Sequence, residues 1–150
     1  MEINLKKVGS LDIEFLFELR NQVSTYRYSK NANPVAWEEH TSWIKPIVEG
    51  NSLKNLFVIL VNKEKAGQVR VDLLGEEAEV HISLVPEFQG KGIAFTAIEQ
   101  ALIKINQEKG IRIFKAQTHQ DNIPSQKLFI KLGFKLEGQE DIWKTYVKRT

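Results

Sequence analysis

The chain has no cysteine, which excludes disulfides, thiolate metal sites and a cysteine acyl-enzyme. It has no marked excess of charge. Its 21 Lys and Arg against 19 Asp and Glu leave a formal net charge of +2, too small and too scattered to argue for nucleic acid as a partner. No apolar run approaches the roughly 20 residues needed to cross a bilayer. The opening Met1-Glu2-Ile3-Asn4-Leu5-Lys6-Lys7 lacks an apolar signal core, so no membrane partner and a cytoplasmic location are expected. Repeats, low-complexity tracts and linkers are absent too, and no metal is expected. What remains is 150 residues, 42% of them hydrophobic, which fits one globular domain over residues 1–150 with a single core.

The periodicities alternate between strand and helix. Ile3, Leu5 and Val8 suggest a short first strand. Ser10 is a candidate helix cap, with Asp12 and Glu14 in the first turn and Leu11, Phe15, Leu16, Leu19 and Val23 at helical spacing. Residues 21–34 read as polar and irregular. A second helix is expected from Val35 to Ile44, interrupted near Pro46. Strands follow at 56–61, 66–74 and 78–84, with a turn at Asn62–Lys65 and another around Gly75. A helix is expected over 93–108, stopped by Gly110, and a strand over 111–116. A helix then starts at Asn122-Ile123-Pro124 and stops at Gly133. A strand pair closes the chain. The order β-α-α-β-β-β-α-β-α-β-β implies an α+β fold, with a mixed, mostly antiparallel sheet and helices on both faces.

The stretch Val85 to Phe95, V-P-E-F-Q-G-K-G-I-A-F, joins the strand at 78–84 to the helix at 93–108. Gly90 and Gly92 bracket Lys91, so the backbone can turn sharply and aim several N–H groups at one point. A helix N-terminus adds unpaired N–H groups and partial positive charge. Together they suit a seat for a phosphate or pyrophosphate, although Gly-x-Gly between a strand and a helix equally occurs as plain turn chemistry. The spacing is not that of a P-loop, because no Gly-Lys-Ser/Thr follows. A dinucleotide fingerprint would need a third glycine and an acidic residue on a second parallel strand, and neither is in place.

Gln89-x-x-Gly92-x-Ala94 resembles the Q/R-x-x-G-x-G/A signature of the GNAT superfamily of N-acetyltransferases. Asn122-x-x-Ser125-x-x-x-Phe129-x-x-x-Gly133-Phe134 resembles its second motif, in the right order and at the right distance. The resemblance covers roughly residues 78–134 and implies a GNAT-like acyl-CoA N-acyltransferase fold with acetyl-CoA as cofactor. By matching position, Gln89, Gly90, Lys91, Gly92, Ile93 and Ala94 would hold the pyrophosphate. Leu84 and Val85 would pair with the pantetheine, and Asn122 and Ser125 would touch the cofactor's arm, although Asn122 equally suits a plain helix cap. Many members carry tyrosine at the Phe129 position to protonate the departing thiolate. Phenylalanine cannot, which leaves water, Ser125, Tyr146 or no acid at all.

Acetyl transfer from a thioester needs an unprotonated amine, and a lysine-like amine of pKa about 10.4 is almost all ammonium at pH 7. A positioned base therefore helps, typically by about 10²–10⁴-fold. On the strand entering the loop, Glu79, His81 and Ser83 share one face, with Val80, Ile82 and Leu84 on the other. Glu79 is the first candidate for the catalytic base, matching a glutamate of the ribosomal-protein acetyltransferases, and His81 is the second. A merely solvated strand face is the plain alternative.

For the acceptor, Leu19-Arg20-Asn21, Ser29-x-Asn31 and Glu38-Glu39-His40-x-x-Trp43 resemble the nucleotide-amino-sugar branch of pseudaminic acid synthesis. The ribosomal-protein acetyltransferases share the first of these. Arg27, Tyr28, Asn31, His40 and Trp43 offer aromatic faces and donors suited to a sugar ring and its diphosphate. The expected acceptor is the primary amine of a nucleotide-linked amino sugar. The alternatives are an N-terminal peptide amine, a polyamine or another small amine, and then a non-catalytic acyl-CoA-binding module. A homodimer is compatible with any of these. A basic acceptor groove would favour the sugar, and an acidic one peptide amines.

Overall fold

A computed structural model describes residues 1–150. The elements run β1 (Ile3–Lys7), α1 (Ile13–Arg20), α2 (Val23–Tyr26), α3 (Trp37–Val48), β2 (Lys54–Val61), β3 (Glu64–Leu74), β4 (Glu77–Leu84), α4 (Ile93–Lys109), β5 (Ile113–His119), α5 (Ile123–Lys131), β6 (Lys135–Glu140) and β7 (Trp143–Arg149). All seven strands form one sheet in the order β1-β2-β3-β4-β5-β7-β6. Only β4 and β5 are parallel, as the α4 crossover between them requires. The expected mixed α+β architecture is what forms. The hairpin turns match the expected turn residues: Asn62 and Lys63 have positive φ between β2 and β3, and Gly75 has φ 65° between β3 and β4.

The sheet has two unlike faces, and strand register defines them. On one face, Val69, Val71, Ala78, Val80, Leu84, Phe114 and Ala116 join Ile93, Ala97, Ile98, Ala101 and Ile105 of α4 and Phe129 of α5 in the main apolar core. On the other, α1 and α3 lie mainly over β2, with α1 also touching β3, and Leu16, Leu19, Ile44 and Ile47 pack on Leu56 and Val58. Leu56 pairs with Arg70 and Val58 with Gln68. In turn Arg70 pairs with His81, Asp72 with Glu79 and Gln68 with Ser83. Across β5 and β7 the same face continues as Lys115, Gln117 and His119, with Trp143 opposite His119. This face therefore changes from apolar to polar one strand in from α3.

Four sequence expectations are corrected here. Ser10 starts a short 3-10 turn and makes no cap; Asp12 holds the N-cap position of α1, but its carboxylate turns back to accept the Gly9 N–H at 2.8 Å and makes no cap bond to the helix. Leu11 is 89% exposed and lies outside the α1 apolar stripe, because that turn, not a helix, carries it. Pro46 does not interrupt α3, which continues to Val48. Pro46 and Ser42, the residue whose carbonyl loses its helical donor, are both exposed, so water can fill the vacancy while Ile44 and Ile47 anchor the buried side. The short helix α2 lies within a stretch expected to be irregular.

Asp12 also ties β1 to β3. Its buried carboxylate lies 2.6 Å from Lys6 Nζ and 2.7 Å from Lys65 Nζ. Burial would raise this carboxyl, but the two ammonium groups and the Gly9 N–H outweigh it and hold it below its ordinary value. Its contribution to stability is therefore complete above the unfolded carboxylate pKa and is lost as pH falls through the lower folded value. Asp12→Asn is expected to cost about 1–3 kcal/mol at neutral pH and to flatten the acid limb of stability against pH. Urea unfolding at pH 7 and at low pH checks both. Equal destabilisation at the two pH values would remove the ion pairs from the account.

Candidate active site

β4 and β5 pair only at Glu77–Glu79 against Ile113–Lys115. Beyond that point β4 stays on β3 as far as Leu84 and β5 stays on β7 as far as His119, so a gap opens between their carboxyl ends. Val85 donates its N–H to Ala66 at 2.9 Å and accepts from Phe88 at 3.0 Å. Its N–H is thus committed within the protein and its carbonyl already has one partner, so a ligand expected to pair with Val85 would meet only the carbonyl's second lone pair. By alternation, the main-chain groups of Leu84 face the gap, and there the Leu84 carbonyl accepts from Gln89 Nε2 at 3.1 Å. The Gln89 side chain is a brace that ties the loop to the strand end.

After a 3-10 turn at Pro86–Phe88, the loop passes through Gly90 (φ 73°) and Gly92 (φ 78°) into α4. Both are left-handed positions where a side chain is strained, and nothing lies within 4 Å of where either Cβ would be. The two glycines are therefore required by their backbone conformation and not by crowding. The Ile93 side chain is buried in the core, so its share in any anion seat is its N–H; Ala94 packs partly against the same core. Lys91 lies with its Nζ 5.8 Å from the Phe88 ring centroid. Across the gap, Asn122 caps α5, accepting the Ser125 N–H at 3.3 Å. The plain capping role is therefore real.

On the polar face beside the gap, His81 Nε2 lies 2.8 Å from Glu79 Oε1 and 3.3 Å from Asp72 Oδ2. Neither oxygen is well aligned for a hydrogen bond with that nitrogen, so the hold of the carboxylates on His81 is a charge interaction that is full only when the imidazole is protonated. Burial would lower the imidazole, but the carboxylates of Asp72 and Glu79 outweigh it and raise His81 above its ordinary value. The contact with His81 lowers Glu79. Asp72 is held well below the carboxylate range, because His81 and Arg70 overcome its burial.

Next to this cluster is a cavity of about 310 Å³ lined by Leu16, Arg20, Asn31, Val35, Glu39, His40, Trp43, Gln68 and Arg70. Of the expected acceptor residues it brings together Asn31, His40 and Trp43, and it leaves out Arg27 and Tyr28. Tyr28 packs on His119, ring centroids 5.1 Å apart, and His119 on Trp143 at 5.5 Å. Arg27 lies over the Tyr28 ring at 4.6 Å. His40 is only 4% exposed and its Nε2 donates to the Ile13 carbonyl at 3.0 Å. Burial lowers its pKa, so it reaches the cavity neutral, with one ring nitrogen already spent.

Asp72, Arg70, Arg20 and Gln126 escaped the sequence reading as site residues. Gln126, buried at the start of α5, donates to the carbonyls of His119 (3.1 Å) and Gln120 (2.9 Å) and so fixes the turn at the end of β5. Asp72 and Arg70 had a signal: a tight turn at Gly75 places them opposite Glu79 and His81. Phe129 is buried edge-on to Phe134 at 5.1 Å, so no phenol stands at that position.

Residues 2–135 match the acetyltransferase (GNAT) domain family. The chain is 26% identical over 145 residues to the spermidine N(1)-acetyltransferase of Escherichia coli K12, covering 91% of this chain and 75% of that one. A domain from Methanocaldococcus jannaschii superposes with a TM-score of 0.87 at 26% identity, over 99% of each chain. RimL, a ribosomal-protein α-N-acetyltransferase in complex with coenzyme A, superposes at 0.84 with 18% identity, over 98% of this chain and 93% of that one. The chain belongs to the GNAT acetyltransferase family. It is an N-acetyltransferase by class, and its sheet of seven strands is that family's fold. The relatives named for an acceptor take spermidine or ribosomal protein, and neither belongs to the nucleotide-amino-sugar branch expected from the sequence. No helix is long and apolar enough to cross a membrane.

Proposed function

We propose that the protein is an acetyl-CoA-dependent N-acetyltransferase that acetylates a primary amine bound over the polar face of β3 and β4. The observation that carries this reading is the Asp72-Glu79-His81 cluster, set where β4 and β5 part. When bound, acetyl-CoA supplies an acetyl group activated as a thioester. The residues suit it. The Gln89–Gly92 turn and the first amides of α4, through Ile93 and Ala94, receive the pyrophosphate, with Lys91 beside them. The free edge of β4 at Leu84 meets the pantetheine, and Asn122 and Ser125 flank it from α5.

The electrostatics reverse the order of the two candidate bases. A lowered carboxylate such as Glu79 is a poorer proton acceptor, whereas a raised imidazole is a better one wherever it is neutral. Nε2 faces two carboxylates and keeps its proton in the neutral form, which leaves Nδ1 to accept. His81 therefore takes the proton released as the amine becomes an amide, and Asp72 and Glu79 stabilise the imidazolium that results. With Phe129 in the phenol position and Tyr146 buried in the apolar core, the departing sulfur is protonated by water.

Two acceptor readings each have an observation behind them. The named relatives favour a polyamine or a chain-terminal amine. The cavity favours an amine on an anionic carrier such as a nucleotide-linked sugar, since Arg20 and Arg70 line it against Glu39 alone. Thiol release from acetyl-CoA across nucleotide-linked amino sugars, N-terminal peptides and polyamines tests the function. Turnover on at least one amine, abolished without the amine, is expected. Binding of acetyl-CoA with silence across the panel would point to a non-catalytic binding module.

A further inference from the structure

We infer that Arg70 and Arg20 form an oxyanion-binding subsite in the acceptor cavity, so that the preferred acceptor is an amine carrying a phosphate or carboxylate. This rests on the acetyltransferase reading for the word acceptor, though not for the anion itself. Arg70 is held in place on two sides: its Nε donates to Asp72 Oδ1 at 2.9 Å, and its guanidinium carbon lies 5.2 Å from the Trp43 ring centroid. Its only protein hydrogen bond uses Nε, and both terminal nitrogens stay free as a planar fork, the geometry that receives two oxygens of one anion.

Arg20 comes from the opposite wall. Its Nη2 donates to the Asn31 carbonyl at 3.0 Å, while its Nη1 is buried with no partner. Burial pushes its pKa down, only partly offset by Glu39, so an added negative charge would be favourable there. Glu39 is the sole carboxylate on the cavity wall. Asp72, next door, is already shared among Lys54, Arg70 and His81. With Glu39 facing Arg20 and Asp72 paired to Arg70, the wall offers no excess negative charge to draw the several positive charges of a polyamine.

The test uses the whole protein saturated with coenzyme A, so that the glycine turn is filled. Inorganic pyrophosphate and, separately, acetate are titrated by calorimetry to tell a phosphate preference from a carboxylate one. At least one is expected to bind wild type and to bind roughly 10- to 100-fold more weakly in Arg70→Gln, with Arg70→Lys recovering part of the loss. In parallel, kcat/KM is compared for glucosamine 1-phosphate, glucosamine and spermidine. The phosphorylated amine is expected to lead glucosamine, and Arg70→Gln to erase the lead. Rates are read on the pH plateau, because removing Arg70 also changes the charge near His81. Arg20→Gln is a supporting variant. Arg70→Gln, at a partly exposed position on the cavity wall, keeps the test decisive if the Arg20 variant does not fold. Failure of the saturated wild type to bind either anion would overturn the subsite, as would equal binding in Arg70→Gln or a spermidine rate exceeding both sugars. If no amine at all releases thiol, the acetyltransferase reading falls, and the anion titration still decides the subsite.

Discussion

His81→Gln is expected to lower kcat by about 10²–10⁴-fold and to leave acetyl-CoA affinity unchanged. Glutamine keeps the size and polarity of the imidazole but cannot take a proton at neutral pH. The pH dependence carries the sharper information. His81 is raised, so its basic form appears only above that raised pKa, and activity should climb with pH through a limb lying above the ordinary histidine value. Glu79→Gln removes one of the two charges that hold it up. The same limb should then move to lower pH, with a smaller loss of kcat than His81→Gln. An unmoved limb in Glu79→Gln would show that the limb belongs to another group. If instead Glu79→Gln were the more damaging change and His81→Gln kept the limb, Glu79 would be the base, as the sequence resemblance first suggested.

Gly67→Ala is expected to be nearly as disabling, by a different route. Gly67 pairs with Leu84 at the open end of β4, and its φ is not in the left-handed region, so the constraint is space. An added Cβ would fall on the Ser83 carbonyl oxygen and within 2.9 Å of Leu84 Cα. Those are backbone atoms, which cannot rotate aside. Overpacking of this kind costs typically about 1–3 kcal/mol. Here the strain also pushes Ser83-Leu84 off β3 and into the gap between β4 and β5. The expected result is a lowered urea midpoint together with weaker binding of coenzyme A. Loss of stability with unchanged coenzyme A affinity would mean that the strand end relaxes away from the gap.

The two halves of the site differ in how far the chain announced them. The glycine turn, the α4 start, the Asn122 cap and the Gly110 and Gly133 stops depend on a few adjacent residues and their own φ/ψ preferences, so their positions were readable directly. Glu79 and His81 were readable from alternation along one strand. Asp72 and Arg70 were readable in principle, because the turn at Gly75 sets the register and each step away from it pairs the next residue. That inference requires trusting the turn before placing the strand.

The acceptor side was less legible because its residues meet across long sequence distances. Arg20 comes from α1, Glu39, His40 and Trp43 from α3, and Arg70 from β3. Nothing local says that His40 will spend a nitrogen on the Ile13 carbonyl, or that Tyr28 will leave the cavity to stack on His119. The polar loop offered Arg27 and Tyr28 as ligands on chemistry alone, and tertiary packing sent them elsewhere.

By itself, then, the sequence determined the α+β class and the place of the glycine turn, since both are written in short-range pattern: strand alternation, helical period and the backbone freedom of glycine. The family was legible through the resemblance of two short motifs, Gln89-x-x-Gly92-x-Ala94 and Asn122 to Phe134. Only the tertiary structure decided the charge balance of the cavity lined by Arg20, Glu39 and Arg70, and that, of two neighbouring side chains, His81 is raised in pKa while Glu79 is lowered. Both depend on distances and burial among groups that the chain keeps far apart until the sheet forms.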